Sequence, residues 1–425
     1  MRILHVVHQY PPNHIGGTEL YTQAIAQRQT RAGHSVAVFC PASGLEEPLA
    51  MTVEDGVRVY RARAGEGRTA VFLRTLASGS LATAFDEVLA TEQPDIVHLQ
   101  HLMGLPASLV DVLHARGIPY LITLHDYWYG CANAQLLTNY DHTLCRGPNE
   151  RFTNCAHCAL ARAGLEWLAP ASPLVAPLMA RRNRTLMRVY SGAAAALAST
   201  PFVRDAHQGM GFPVDRVRLL PLGADVSADD IAEARHAHRR VAGEPFRIGY
   251  IGGLSRQKGV HVLIAAANRL PDRVETLIYG ELSAFPDYVA ELRQAAVHPG
   301  IRFMDLLPRA SFWSSLGALD VLVVPTLWYE TYSLIIQEAF AAGVPVVASR
   351  IGVIPDVVED GVGGRLFPHG DAEALGSILS EYMENPERLA ALKAKIPPVM
   401  TMDDHAEQLA AVYREVLTQP PIAID

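Results

Sequence analysis

Two glutamates bracket the start of a predicted helix in the second half of the chain. Glu330 lies just before this helix and Glu338 lies inside it, and the apolar run 320–325 that precedes them is typical of a buried parallel strand. A loop that opens a helix presents unpaired backbone N–H groups and the positive end of the helix dipole. Such a loop suits a phosphate, and flanking carboxylates suit sugar hydroxyls. This arrangement predicts a site for a nucleotide-sugar.

Glycine-rich and basic loops after other predicted strands supply further candidate contacts to phosphates. Gly16 and Gly17 precede a helix and can take a positive φ that lets the backbone approach a ligand, although without GxGxxG spacing a plain turn is the alternative. Arg256 or Lys258 could neutralise a departing diphosphate, with a solvated turn as the alternative for either residue alone. Gly280, at the end of the next predicted strand, offers one more close backbone approach.

A histidine follows the predicted strand 120–124. His125 therefore lies at the carboxyl end of a parallel strand, where open α/β sheets place functional groups, and we expect it to contact a charged or reacting ligand. The chain contains 17 histidines, so most of them must have ordinary roles. For His98, on its own predicted strand, we expect a buried packing or positioning role.

Four of the five cysteines fall close together in the chain. They are Cys131, Cys145, Cys155 and Cys158. Four thiolates are a standard zinc set, and the last two form a C-x2-C pair, so a structural zinc is one interpretation. Because the first two are widely spaced, four reduced thiols are the equal alternative, and His142 and His157 are alternative ligands. No neighbouring motif activates a catalytic thiol.

Composition and charge exclude several classes of protein. With 425 residues, of which 49% are apolar and 19% charged, the chain predicts a globular protein of two domains. The net charge of −8 argues against a nucleic-acid-binding protein, which usually carries a basic domain. No secretory signal is visible, and no long apolar segment lacks charges or proline. We therefore expect no membrane span and a cytoplasmic location.

An arginine-rich stretch after the apolar segment 167–179 has two interpretations. Arg181, Arg182, Arg184 and Arg188 could lie on an anionic membrane surface, as a peripheral contact with the inner face of the cell membrane. A solvated helix face is the alternative, and the sequence favours this alternative.

The order of the predicted elements indicates an α/β fold with two Rossmann-like, doubly wound domains. The first set of predicted strands is 3–7, 36–40, 96–99 and 120–124, and it alternates with the predicted helices 18–32, 69–92 and 106–116. The second set of predicted strands is 247–251, 274–279, 301–304, 321–324 and 344–348. Alternation of this kind indicates βαβ units and parallel sheets. Two such halves predict domains that face each other across a ligand-binding cleft.

The glutamate pair, the Lys258 loop, Gly16-Gly17 and His125 together resemble one known family. The whole chain resembles a GT-B-fold, retaining glycosyltransferase of family 4, also called group 1. The glutamate spacing matches the E-x7-E motif of that family, and the segment 361–367 is similar to the one that follows its donor site.

The resemblance implies a division of labour among three catalytic residues, His125, Glu330 and Lys258. Glu330 would hold hydroxyls of the transferred sugar, His125 would contact this sugar near the reacting carbon, and Lys258 would grip the diphosphate. Glu338 would bind the ribose diol. The full donor-binding set implied in this way is Gly16, Gly17, Gly253, Arg256, Lys258, Gly280, Glu330, Thr331, Tyr332, Ser333, Leu334 and Glu338.

The resemblance also implies the reaction and the domain roles. A UDP- or GDP-linked sugar would be transferred by front-face attack with retained configuration to a glycan, lipid-linked or small-molecule acceptor, in bacterial polysaccharide or glycoconjugate synthesis. No catalytic metal is expected, and the chain has no Asp-x-Asp pair. Residues 1–222 would be the acceptor-side domain, with a cysteine-rich insertion at about 131–190. Residues 223–402 would bind the nucleotide-sugar, and 403–425 would form a helix that packs back on the first domain.

One position departs from the family pattern. The family often has an arginine where this chain has Gly253, so one phosphate-binding cation is either missing or supplied by Arg256. Two alternative functions follow: a catalytically weak binding or regulatory subunit that keeps the fold, and an epimerase that acts on the nucleotide-sugar itself.

Overall fold

The chain folds into two compact units, each with its own β-sheet. The computed structural model describes residues 1–12, 16–65, 67, 71–72, 74–75, 78–237 and 243–419. Unit 1 contains Met1–Gly223 together with Met402–Asp425, and unit 2 contains Ala224–Thr401. Parallel strands alternate with helices in both units, which confirms the predicted fold class.

The sheet of unit 1 has eight strands in the order β3-β4-β2-β1-β5-β6-β7-β8. The strands are β1 Arg2–Val6, β2 Ser35–Ala42, β3 Leu49–Glu54, β4 Val57–Arg63, β5 Ile96–Leu99, β6 Tyr120–Thr123, β7 Ala195–Ala198 and β8 Val217–Leu219. All neighbours pair in parallel except β3 and β4. The central strands β5 and β6 are buried along their whole length, as expected for a parallel sheet covered on both faces.

The helices of unit 1 connect these strands and form the predicted insertion. They are α1 Gly17–Arg31, α2 Gly79–Glu92, α3 Leu109–Ala115, α4 Thr153–Arg162, α5 Ser172–Ser191 and α6 Pro201–Gly209, and the short 3-10 helix Glu166–Ala171 precedes α5. The predicted helix 69–92 corresponds to α2 only in its second part, and several residues of its first part lie outside the described ranges. Helices α4 and α5 pack against each other through Ala156, Ala176 and Met179.

The sheet of unit 2 has six strands in the order β11-β10-β9-β12-β13-β14, all parallel. They are β9 Phe246–Ile251, β10 Val274–Tyr279, β11 Ile301–Asp305, β12 Val321–Val324, β13 Val346–Arg350 and β14 Gly364–Pro368. The chain order reverses between β9 and β12, which are neighbours in the sheet. Open α/β sheets bind ligands at such a switch point, outside the carboxyl ends of the strands. The loops that follow β9 and β12 are therefore the first place to look for a ligand site.

The helices of unit 2 cover its sheet. They are α7 Ala228–Ala237, α8 Val260–Ala267, α9 Pro286–Ala295, α10 Phe312–Gly317, α11 Leu334–Ala341, α12 Ile354–Val357, α13 Ala372–Glu384 and α14 Pro386–Lys393, with short 3-10 helices at Arg256–Lys258 and Arg309–Ser311. Their apolar side chains, with those of the strands, form one large core.

The last helix, α15 Met402–Thr418, belongs to unit 1 although it follows unit 2 in the chain. Its side chains Leu409 and Tyr413 are fully buried in a core with Tyr21 and Ile25 of α1. Within the described ranges, none of the helices is both long and apolar enough to cross a membrane.

Candidate functional site

The centre of the candidate site in unit 2 is the carboxylate of Glu330, in the loop after β12. One of its oxygens, Oε1, accepts hydrogen bonds from Lys258 Nζ at 2.8 Å, Trp328 Nε1 at 2.9 Å and Thr326 Oγ1 at 3.1 Å. The residue is only 8% exposed, so these contacts form in a largely dry environment where charge-assisted bonds are strong. The structure thus brings Glu330 and Lys258 together as an ion pair.

A glycine allows the Lys258 loop to approach the Glu330 loop. Gly259 has a φ of 72°, and a Cβ there would lie 1.9 Å from the carbonyl oxygen of Pro325. Any other residue would therefore push the two loops apart. The backbone N–H of Leu327 donates to the carbonyl of Gln257 at 2.8 Å and locks the loops in this position.

The residues between the two glutamates lead into helix α11. Ser333 has a left-handed φ of 65° immediately before Leu334, where the helix begins. A non-glycine residue in this region is strained by about 1–3 kcal/mol, and such strain concentrates at ligand clamps and active sites. Tyr332 is buried, whereas Thr331 and Ser333 are partly exposed. The predicted phosphate-binding segment from Thr331 to Leu334 is therefore at a helix N-terminus, as its role requires.

Glu338 lies inside α11 with its side chain 20% exposed. Burial raises the pKa of Glu338 to about 7, with Asp225 acting in the same direction and Arg309 against it. The guanidinium of Arg309 lies 4.0 Å from the carboxylate and also donates to the backbone carbonyl of Asp225. A carboxyl group with this pKa changes its charge near neutral pH.

Gly253, Arg256 and Gly280 occupy the loops after β9 and β10. A Cβ at Gly253 would meet no atom within 4 Å, so the position has room for a side chain. The guanidinium of Arg256 pairs with Glu291 and lies 5.3 Å from the ring centre of Tyr288. These contacts already engage the Arg256 guanidinium within unit 2. That Arg256 supplies the phosphate contact of the arginine missing at position 253 therefore stays a prediction. At Gly280 a Cβ would lie 2.3 Å from the carbonyl oxygen of Gly252, so this close approach is to another backbone segment.

Gly16 and Gly17 lie at the N-terminus of α1 in unit 1. Gly16 is the residue before the helix and Gly17 its first residue. A Cβ at Gly16 would lie 2.5 Å from Oε2 of Glu19, whereas one at Gly17 would meet nothing within 4 Å. The buried Glu19 carboxylate is 3.3 Å from Nε2 of His8. Residues 13–15, which precede the glycines, lie outside the described ranges.

His125 follows β6 in unit 1 and is held by a glutamine. Its Nε2 lies 2.8 Å from Oε1 of Gln100. An amide oxygen only accepts hydrogen bonds, so with this amide orientation Nε2 of His125 carries the proton. Burial lowers the pKa of His125 to about 3, and the neighbouring His101 acts in the same direction. The imidazole is therefore neutral at physiological pH.

The same glutamine links His125 to a buried network that includes α15. Nε2 of Gln100 donates to Nδ1 of His5 at 3.0 Å and to Nδ1 of His98 at 3.2 Å. The hydroxyl of Tyr413 lies 2.6 Å from the same Nδ1 atom of His98. Because this atom accepts from Gln100, the tyrosine hydroxyl is the donor in that pair. His98 is fully buried, as expected for a positioning role.

We expect Tyr413→Phe to lower the midpoint of thermal unfolding of the full chain. The change removes the hydroxyl donor from Nδ1 of His98 and leaves a buried acceptor with one partner fewer, which destabilises by about 1–3 kcal/mol. Tyr140→Phe is the matched control, because the ring of Tyr140 is partly exposed and stacks on His157. Equal midpoints for the two variants would show that the network contributes no stability.

The four clustered cysteines line one cavity of unit 1. They are Cys131, Cys145, Cys155 and Cys158. All are free thiols, and burial raises the pKa of Cys155 to about 12 and that of Cys158 to about 11. Among the described residues, no three His, Cys, Asp or Glu side chains form a group that could hold a metal ion. The structural zinc therefore stays a prediction, and elemental analysis of protein purified without chelators, for wild type and Cys155→Ser with Cys158→Ser, tests it.

The arginine-rich stretch is divided by the structure, which corrects one prediction. Arg182 is 3% exposed and donates to the backbone carbonyls of Trp128 and Tyr129, so it cannot belong to a solvated or membrane-facing surface. Arg181 and Arg184 are exposed. Helix periodicity explains the difference, because neighbouring residues on a helix point in different directions.

Several residues of the site have no counterpart among the predicted site residues. Thr326 and Trp328 donate hydrogen bonds to Glu330, and they lie in the loop after β12, so their position near a strand end could have indicated them. Gln100 directly follows β5, and its position at a strand end could have indicated it in the same way. Arg309, beside Glu338, is far away in the sequence, and no pattern around it indicates this contact.

Comparisons with known proteins agree with this architecture. Residues 16–223 match the family described as "Glycosyl transferase 4-like domain" and residues 245–385 the family described as "Glycosyl transferases group 1". A D-inositol 3-phosphate glycosyltransferase of Corynebacterium urealyticum is 27% identical, over 95% of this chain and 92% of the relative.

Solved structures with the same fold cover almost the whole chain. Sucrose-phosphate synthase from Thermosynechococcus elongatus has a TM-score of 0.73 at 19% identity, over 97% of this chain and 98% of that one. HepE from Anabaena, solved in complex with UDP and glucose, has a TM-score of 0.66 at 20% identity, over 97% and 99%. The chain therefore belongs to the group 1 glycosyltransferases and has their GT-B fold.

Proposed function

We propose that this glycosyltransferase moves a sugar from a nucleoside-diphosphate sugar to an acceptor hydroxyl with retention of the anomeric configuration. The observation that carries the proposal is the contact between Lys258 and Glu330 at the switch point of unit 2. It places a cation and a carboxylate within 2.8 Å of each other, beside the N-terminus of α11. A diphosphate needs the cation and the helix terminus, and a sugar needs the carboxylate.

The chemical step divides between these groups. The bond from the anomeric carbon to the phosphate oxygen breaks, and the acceptor oxygen bonds to the same face of that carbon. The departing phosphate takes the proton of the acceptor hydroxyl, so no separate base is required. Lys258 and the N-terminus of α11 stabilise the negative charge that develops on the diphosphate. These groups supply the neutralisation that a catalytic metal would otherwise provide.

His125 and Glu330 are proposed to hold the transferred sugar. The Glu330 carboxylate accepts hydrogen bonds from sugar hydroxyls, as it accepts them here from Thr326 and Trp328. The neutral His125 ring, fixed by Gln100 through Nε2, adds no charge near the reacting carbon. Neutrality suits this role, because a cation beside an anomeric centre that becomes positive would oppose the reaction.

The donor is proposed to be a UDP- or GDP-linked sugar. HepE from Anabaena, whose fold is similar, was solved in complex with UDP and glucose. A panel of nucleoside diphosphates in thermal unfolding tests this proposal, because a ligand at a hundredfold its Kd stabilises the folded chain by about 2.7 kcal/mol. One nucleotide of the panel should raise the unfolding midpoint. If none does, the proposed donor class is wrong.

We expect the affinity for that nucleotide to rise with pH across neutrality through Glu338. Glu338 is proposed to accept the ribose diol as a carboxylate, and its pKa of about 7 means that it gains this charge as the pH rises. Below its pKa the carboxyl is protonated and loses an acceptor site, so binding weakens. Calorimetric titration with UDP between about pH 6 and 8 measures the effect, which approaches tenfold per pH unit at its limit.

Glu338→Gln is the control for this titration. The amide has no proton to lose in this range, so its affinity should depend on pH only through the nucleotide's own phosphate, whose pKa is near 6. The difference between the two pH profiles isolates Glu338. Identical profiles for wild type and variant would contradict the proposed role.

A catalytically weak binding or regulatory subunit is the second candidate function. The observation in its favour is Gly253, where the family often has an arginine and where this chain leaves open space. Arg256, the nearest substitute in the sequence, pairs with Glu291. Such a subunit would bind a nucleotide and transfer nothing, so an activity assay on the full chain separates the two functions.

A further inference from the structure

The cavity beneath the cysteine-rich insertion has the size and the walls of a site for an apolar ligand. Its volume is 780 Å³, within the range of about 300–1,000 Å³ that is usual for small-molecule sites. Apart from the thiols, its walls include Val71, Phe72, Leu137, Val175 and Met179. Apolar walls of this extent suit the hydrocarbon part of a ligand, and polar side chains such as Asn139 and Thr138 line the rest.

Two charged side chains line the cavity, the exposed Arg162 and the buried Arg182. Arg182 is 3% exposed, and its guanidinium donates to the carbonyls of Trp128 and Tyr129 and lies 4.9 Å from the Trp128 ring centre. The nearby acidic residue Asp126 is already paired with His101 at 2.9 Å. Buried cations are normally paired with an anion, so a negative group of a ligand would form an ion pair with Arg182.

The cavity reaches the surface at helix α5. Leu178 lines the cavity and is also 37% exposed. One helical turn earlier Leu174 is 83% exposed, and Trp167 of the preceding 3-10 helix is 75% exposed. Further along the same helix the exposed side chains become the cations Arg181 and Arg184. Exposed Trp and Leu followed by arginines are typical of a segment that lies in the surface of an anionic membrane.

We propose that the cavity binds an anionic lipid, with the acidic head group at Arg182 and the hydrocarbon chain leaving past Leu178 towards a membrane that contacts α5. The charge of Arg182 and of the exposed arginines selects an acidic head group, and the apolar walls select the chain. This inference rests on the proposed function only where it assigns the lipid as the acceptor, whose head group would then carry the accepting hydroxyl beside its acidic group. The lipid site itself can be tested without any transfer reaction.

The cavity is tested with dodecyl phosphate below its micelle concentration, titrated calorimetrically into the full chain. Inorganic phosphate supplies the anion alone, and dodecyl maltoside supplies the chain without the charge. We expect dodecyl phosphate to bind at least about tenfold more tightly than either. Arg182→Met should reduce this preference over dodecyl maltoside.

A cavity-filling substitution locates the binding. Ala159 lines the cavity from α4, and Ala159→Trp should weaken dodecyl phosphate by about tenfold or more, because the ring occupies the space of the chain. Ala161→Trp, on the same helix, is the matched control and should leave the affinity nearly unchanged. If Ala159→Trp does not fold, Leu178→Glu, at the exposed mouth, replaces it.

The membrane contact is tested by sedimentation with vesicles of phosphatidylcholine and phosphatidylglycerol in equal amounts. Leu174→Glu should abolish most of the sedimentation of wild type, whereas Val297→Glu, which changes a 76% exposed aliphatic residue of unit 2, should not. The lipid site is overturned if dodecyl phosphate and inorganic phosphate bind equally, if Ala159→Trp binds like wild type, or if Leu174→Glu still sediments. Nucleotide binding should be unchanged in all these variants, so a failure of the lipid-binding tests does not affect the proposed function. If the wild type does not bind a nucleotide, the lipid-binding tests still decide the lipid site.

Discussion

Lys258→Met is expected to lower kcat for sugar transfer by roughly 10²–10³-fold. The ammonium group contacts the Glu330 carboxylate directly, at 2.8 Å. In the proposed reaction it stabilises the charge that appears on the diphosphate as the sugar leaves, and methionine keeps the apolar stem without this charge. The effect should fall mainly on kcat, because the charge grows in the transition state.

Steady-state kinetics of the purified full chain measure this effect. Lys395→Met is the matched control, since Lys395 is exposed at the end of unit 2, and it should retain the activity of wild type. Lys258→Arg keeps the charge and should recover part of the rate. A Lys258→Met enzyme with an unchanged kcat would remove Lys258 from the catalytic machinery.

Glu330→Gln is expected to lower kcat/KM by a similar factor, roughly 10²–10³-fold. The amide keeps an oxygen for Thr326 and Trp328 but loses the charge that pairs with Lys258 and that strengthens bonds to sugar hydroxyls. Glu330→Ala should also lower the stability of the fold. It leaves buried donors without a partner, each of which destabilises the fold by about 1–3 kcal/mol.

Kinetics and thermal unfolding together distinguish these effects. Glu330→Gln should lose activity and unfold near the wild-type midpoint, whereas Glu330→Ala should lose both. Glu387→Gln, on the exposed face of unit 2, is the control and should change neither quantity. If Glu330→Gln transfers sugar at the wild-type rate, the carboxylate has only a structural role.

The part of the fold with strong apolar runs could be predicted from the sequence. Continuous apolar residues predict strands such as β12, in which Val321–Val324 are buried. Strand β7, Ala195–Ala198, was not predicted because alanine has a low β propensity and its run is equally typical of a helix. The antiparallel pair of β3 and β4 was missed as well, since β3 is a half-exposed edge strand and gives a weaker pattern.

The positions of the proposed donor-site residues in the fold could be predicted, but not their contacts. Glu330 and Lys258 lie in loops that follow strands, and Glu338 lies in the helix after one of these loops, and such positions are visible in a sequence. Lys258 and Glu330 were assigned to different parts of the donor, and their direct ion pair depends on Gly259 and the approach of two loops. The pKa of about 7 for Glu338 depends on burial, which no local pattern encodes.

The insertion shows the limits of a local pattern most clearly. The cysteine pattern predicts either a zinc site or reduced thiols, and this choice stays open; the four thiols line one cavity, and no metal-holding group forms among the described residues. Arg182 looked like part of a basic surface and is buried. For Arg182 the deciding quantity is the position of helix α5 relative to its neighbours in space.

The most direct test of the central claim is the release of nucleoside diphosphate from a panel of UDP- and GDP-sugars by the purified full chain. We predict that one donor of the panel is consumed, that an added acceptor accelerates its consumption, and that Lys258→Met and Glu330→Gln abolish it while Lys395→Met does not. An epimerase would instead form a new nucleotide-sugar without acceptor and release no nucleotide. A wild-type chain that binds the nucleotide but neither hydrolyses nor transfers any donor of the panel would contradict the account.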